Sequence, residues 1–254
     1  MKTLFLFILS LTAGAFIQAQ DQGTIHYLST RTLSLDGVDL GEEAMEMIKS
    51  MLGENGIQDR ATLQFQGQKS LYRPIVEAEQ TRENGPMTVV IQRVGQELQF
   101  YTDWATKEIA YADNIFDQPF LIKDQFQEID WQLDTETPVN MDYQLPAKRA
   151  TATLDNGDEI VAWYSEAVPL PFGPRKYGGL PGIIVRLEEQ SEDGLTTYEI
   201  TQIDLETEVG EIKAPTTGRS VDRAKFAKLY EERMSNQDGP IMIRRSEGGR
   251  PSGF

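Results

Sequence analysis

The chain has 254 residues, 40 of them acidic, 24 basic and none cysteine, for a net charge of −16. That field excludes nucleic acid and anionic membrane surfaces as main partners. The missing thiol excludes disulfides, cysteine catalysis, cysteine-ligated metal and an acylated-cysteine lipid anchor, so the fold must rest on its core.

Met1–Ala19 reads as a secretory signal peptide. Lys2 supplies the positive start, Leu4–Leu11 is apolar apart from Ser10, and small residues lead to Ala19 before a polar stretch. The apolar run is too short to cross a bilayer, so no transmembrane anchor is expected. Export follows, to the periplasm or beyond the cell. Residues 20–236 are read as one antiparallel β domain and 237–254 as a flexible Gly/Pro/Arg tail.

Gly23–Leu33 reads as the first strand, and Asp36-Gly37 as a turn. Glu42–Leu52 changes period and predicts a short amphipathic helix, opened by acids and closed by Gly53. Ala61–Ile75, Met87–Val94, Glu97–Tyr101 and Thr106–Ala112 predict strands punctuated by Gly67, Asn84-Gly85 and Gly95. Asp117–Trp131 is mixed and offers Phe120, Ile122, Phe126, Ile129 and Trp131 to a core. No strand alternates with a long helix, so the body is mainly β and antiparallel.

Asn156-Gly157 between alternating segments predicts a two-residue type I′ hairpin. That loop would pair Ala152 with Val161 and Ala150 with Trp163, placing Leu154, Ala152, Ala150, Val161 and Trp163 on one apolar face. Trp163 is then buried and Tyr164 looks the other way. Beyond Pro169–Gly182, Ile183, Val185 and Leu187 share a strand face, and Leu195–Ile203 forms the next strand. Ser220 caps a helix over Val221–Met234 with Phe226, Leu229 and Tyr230 as its apolar stripe.

Pro169–Gly182 is the most specified stretch, with prolines at 169, 171, 174 and 181 and glycines at 173, 178, 179 and 182. Such density fixes φ at some positions and frees it at others, so the loop is shaped rather than floppy. Ala162-Trp163-Tyr164, Gly173-Pro174 and Tyr177-Gly178-Gly179-Leu180-Pro181-Gly182-Ile183-Ile184 resemble the GLPGLI family of exported Gram-negative proteins, over Ala147–Val185. The resemblance implies a curved antiparallel sheet or half-barrel with one or two peripheral helices. It implies no biochemical activity.

Pro181-Gly182 suits the centre of a type II turn, with Leu180 and Ile183 flanking it, and the motif reads as a corner that fixes strand register. Gly178-Gly179 leaves room for a neighbour to pass closely. A second reading rests on Phe172, Arg175, Lys176 and Tyr177, two aromatics and two cations that would form an exposed ligand- or partner-binding edge.

The single histidine, His26, cannot build a metal centre, and no serine sits in a nucleophile elbow. No loop cradles phosphate, and with so many acids a carboxylate pair has no diagnostic value. The sequence therefore points away from cofactor, metal and enzyme. It suggests a binding or accessory protein for an apolar or peptide-like ligand, or alternatively an envelope module that contacts a protein partner only.

Overall fold

The structure is a computed structural model that describes residues 21–34, 56–75, 82–84, 87–89, 99–115, 118–135, 139–140, 145–191 and 194–235. The expected signal peptide, Asp36-Gly37 turn, helix over 42–52 and tail fall outside the described residues. In chain order the strands are β1 Gln22–Leu33, β2 Ile57–Gln66, β3 Lys69–Pro74, β4 Arg82–Asn84, β5 Met87–Val89, β6 Phe100–Asp103, β7 Glu108–Ile115 and β8 Gln118–Gln125. They continue with β9 Gln132–Leu133, β10 Val139–Asn140, β11 Pro146–Thr153, β12 Glu159–Ser165, β13 Ile183–Ser191, β14 Gly194–Asp204 and β15 Arg219–Val221. Helix α1, Arg223–Ser235, follows.

Apart from the β4–β5 hairpin, these strands form one open sheet in the order β10-β11-β12-β13-β14-β1-β2-β3-β6-β7-β8-β15, with β9 also on β11. All pairings are antiparallel except β15 on β8. The expected curved antiparallel sheet with a peripheral helix is what the chain forms. Among the described residues no helix is long and apolar enough to cross a membrane.

Period-two alternation carries the core. Register aligns Ile25, Leu63, Tyr72, Phe100, Tyr111 and Ile122 side by side across six strands, and all six are buried. The same cluster takes in Ala150, Ile160, Ala162 and Leu187 from the other half, so the sheet curls around one interior. On the opposite face Leu71, Tyr101 and Ala110 are covered by Val209 and Ile212, from the segment that carries the chain from β14 to β15. Residues 126–131 make the other long passage, joining β8 near one end of the sheet to β9 at the other.

The β11–β12 hairpin departs from expectation. Ala150 pairs with Ala162 and Ala152 with Ile160, one residue out from the type I′ register. The loop holds three residues, Asp155-Asn156-Gly157, with Leu154 N–H bonded to Asp158 O at 2.8 Å and only Gly157 left-handed, at φ 90°. This is the turn-plus-bulge loop rather than the mirror-image turn. Asn156 favours it by accepting from Asp158 N at 3.2 Å and donating to Asp158 Oδ2 at 2.6 Å.

One residue of slip exchanges the faces. Tyr164, 2 % exposed, is in the core, whereas Trp163 is half-buried on the outer face beneath the Arg186 guanidinium, 5.5 Å from its ring. Because a Cβ at Gly157 meets nothing within 4 Å, Gly157→Ala tests backbone strain alone. It should lower unfolding free energy by about 1 kcal/mol in urea melts without changing their slope.

The helix differs by its cap. Asp222, not Ser220, accepts the Lys225 N–H at 2.7 Å, while Ser220 lies in β15 opposite Leu121. Phe226 packs edge-on against Phe120 at 5.6 Å, and Leu229 and Tyr230 rest half-buried beside the core.

Candidate functional site

The Pro169–Gly182 loop is folded against the core rather than held out at a rim. Phe172, Tyr177 and Leu180 are each 2 % exposed, and Gly173, Pro174 and Gly178 are buried with them. Phe172 packs on Phe65 at 5.4 Å, and Tyr177 on Tyr198 at 6.5 Å. The exposed aromatic–basic edge is thereby corrected: the two aromatic rings gain more from the apolar interior than from water.

Main-chain bonds hold that shape. Gly179 N donates to Pro171 O at 2.9 Å, Tyr177 N to Pro174 O at 3.0 Å, and Ile184 N to Phe172 O at 3.1 Å. The type II turn at Pro181-Gly182 is absent, since Gly182 is not left-handed; Gly179 is, at φ 87°. Gly182 serves instead for close approach, passing against the Ser165 backbone.

Under the loop lies a polar knot. The Tyr177 hydroxyl donates to Glu189 Oε1 at 2.6 Å, and Glu189 is buried at the inner face of β13. Arg175, left-handed at φ 52°, donates to the Tyr198 hydroxyl at 3.2 Å, and its guanidinium lies 5.0 Å from the Phe100 ring. Burial, and then the Glu189 charge, push the Tyr177 hydroxyl well above its ordinary range. Burial works against the Arg175 charge, but Tyr198, Glu189 and Tyr177 outweigh it and keep the guanidinium protonated.

Above the loop a cleft of about 290 Å³ opens between three elements. The β6–β7 turn supplies Trp104, where Asp103 Oδ1 accepts the Ala105 and Thr106 N–H groups at 3.0 and 3.3 Å and fixes the bend. The 126–131 passage supplies Phe126 and Ile129, and Phe126 packs on Trp104 at 4.7 Å. The floor is Gly178-Gly179: a Cβ on Gly178 would collide with the Trp104 ring, 2.6 Å away, and with Pro171 O, while Gly179 is left-handed at φ 87°. Trp131 Nε1–H donates to Gly178 O at 2.9 Å and ties the passage to the loop.

Two lysines line the cleft. Lys107 sits over Trp104 and Phe126 and pairs with Glu128 at 2.5 Å. Lys176 lines the cleft as well, half-buried. Burial, then Arg175 and Arg223, bring its ammonium down to about 8, against the weaker pull of Glu189 and Asp158. Walls that set Trp104, Phe126 and Ile129 beside Gln127, Glu128 and two lysines, over a bare backbone floor, suit holding a small apolar group with a polar end.

Of the residues singled out from sequence, Lys176, Gly178 and Gly179 line the cleft, Phe172 and Tyr177 lie in the core, and Arg175 joins the polar knot. His26 is half-buried on β1, away from the cleft lining. Trp104, Lys107 and Phe126 were not foreseen as site residues. Only their aromatic and cationic character hinted at them, because they are brought to the loop by tertiary contacts.

A family described as "Protein of unknown function (Porph_ging)" matches residues 122–186, about a quarter of the chain, and the match contains Ala147–Val185. No curated protein matches the chain. A solved structure, "Structure of PNGF-II in C2 space group", is similar at a TM-score of 0.50 and 9 % identity, over 84 % of this chain and 33 % of that one. "Structure of PNGF-II in P21 space group" gives 0.48 and 11 %, over 84 % and 34 %. The chain spans about a third of the length of these solved chains, and the first likeness bears on the fold alone. What the comparisons give for this chain is a local similarity to a family of unknown function and a shared fold.

Proposed function

We propose that this is an exported, non-enzymatic binding protein that holds an apolar or peptide-like ligand in the cleft over Gly178-Gly179. The observation that carries the reading is the cleft itself. Its floor is main chain kept bare by two glycines, and its walls are Trp104, Phe126 and Ile129. At about 290 Å³ it is near the lower limit for small-molecule sites, the size of one or two side chains.

The test is a fluorescence titration of the purified protein with N-acetyl-Leu-Phe, both as free acid and as amide. At least one form should give a saturable change from Trp104 and Trp131, and Trp104→Ala should weaken binding at least about tenfold while retaining the β-sheet circular dichroism. Silence from both peptides up to millimolar concentration, or unchanged affinity in the Trp104→Ala protein, overturns the proposal. A single envelope protein crosslinked across this face, with no small ligand bound, would put a partner-only role in its place.

A further inference from the structure

Only two of the described lysines are not exposed, Lys148 and Lys176. Lys148 has its carboxylate, Glu166, at 2.8 Å. Among the described residues Lys176 has no carboxylate within ion-pair distance; it lines the cleft, and its ammonium lies 5.6 Å from the Tyr177 ring centroid. The contrast matters in a chain where acids outnumber bases by 40 to 24. Carboxylates are plentiful, yet among the described residues none pairs with the one half-buried lysine that lines the cleft. An unpaired cation is costly to desolvate, and a charged group from outside would offset that cost.

The surroundings point the same way. Arg175 from the same loop and Arg223 from the start of α1 add positive charge near Lys176. Glu189 from β13 and Asp158 from the β11–β12 hairpin oppose them. Glu189 already accepts from the Tyr177 hydroxyl, and Glu128, on the cleft lining, is held by Lys107. Arg223 in turn pairs with Asp124 at 3.5 Å, so among the described residues the lysine lining the cleft that lacks a carboxylate within ion-pair distance is Lys176.

We propose that the cleft selects ligands bearing a free carboxylate, with Lys176 as its counter-ion and Trp104 and Phe126 as the wall for the adjoining apolar group. The inference rests on the cleft being the binding site. A peptide C-terminus with an apolar last side chain has this chemistry.

N-acetyl-Leu-Phe as acid and as amide separates the two levels. At pH 6.5 the acid should bind at least tenfold more tightly than the amide. Lys176→Gln should abolish that preference and Lys176→Arg should keep it. The acid's affinity should be full below pH 8 and fall as pH rises through about 8, where the ammonium deprotonates, while the amide's affinity stays level. Equal binding of acid and amide, or a preference that survives Lys176→Gln, overturns the carboxylate inference and leaves the cleft as a binding site. No binding of either peptide overturns both.

Discussion

Gly182→Ala is expected to leave little folded protein, with unfolding free energy lowered by more than about 4 kcal/mol. The added Cβ would stand 2.0 Å from Ser165 O, 2.4 Å from Ser165 C and 2.7 Å from Glu166 N. These are main-chain atoms, so no rotamer change relieves the overlap. Nor can the strand end withdraw easily: Ser165 pairs with Ile183, and its hydroxyl donates to Pro146 O at 2.8 Å. The loop would have to lift, breaking the 2.9 Å bond from Ile183 N to Val168 O and unseating Leu180. Urea denaturation followed by circular dichroism measures the loss. A midpoint within a few tenths molar of the wild type would show that 182 tolerates a side chain, and that the corner is not set by backbone approach.

Arg175→Met should be the next most damaging change, at about 3 kcal/mol. Methionine can fill much of the space over Phe100, but the 3.2 Å bond to the Tyr198 hydroxyl is lost. More important, the buried Glu189 carboxylate loses the Arg175 charge and is left with the Tyr177 hydroxyl and the more weakly charged surroundings of Lys176. The cost therefore comes mostly from the group left behind. Adding Glu189→Gln to Arg175→Met should recover at least half of the loss, a coupling that a purely steric role for Arg175 would not produce. Chemical melts of the two single variants and the double variant complete the cycle. Strict additivity would remove Glu189 from the explanation.

Much of the sheet could be read from residue spacing. Threonine, tyrosine and isoleucine over Gly23–Leu33 marked β1, Ala61–Ile75 broken at Gly67 marked β2 and β3, and the lack of long helices alternating with strands marked an antiparallel body. Asn156-Gly157 located the hairpin but not its register. Loop length was decided by the Asn156 side chain bonding to Asp158, and one residue of difference moved Trp163 outward and Tyr164 inward. Loop composition showed that Pro169–Gly182 was rigid, yet gave no sign of which way it faced. Phe172 and Tyr177 turned inward because Phe65 and Tyr198 lay beneath them, information carried on β2 and β14. The cleft was least legible. Trp104 meets Gly178 only after the sheet has curled, and nothing in the sequence set Glu189 apart from the described acids, of which only it and Asp103 are buried.

Strand β1 lies mid-sheet between β2 and β14, with Gln22 against Gln66 on one side and Thr24 against Asp204 on the other. A chain emerging N-terminus first can zip β1 to β2 almost at once, but β1's second flank stays bare until the last long strand has been made. During that wait a half-sheet with an open row of amides is available to any passing strand, including the same strand of a sister molecule. Synthesis that stops after β13 would yield a sticky fragment rather than a smaller working protein, and partners that shield nascent chains matter most in that interval.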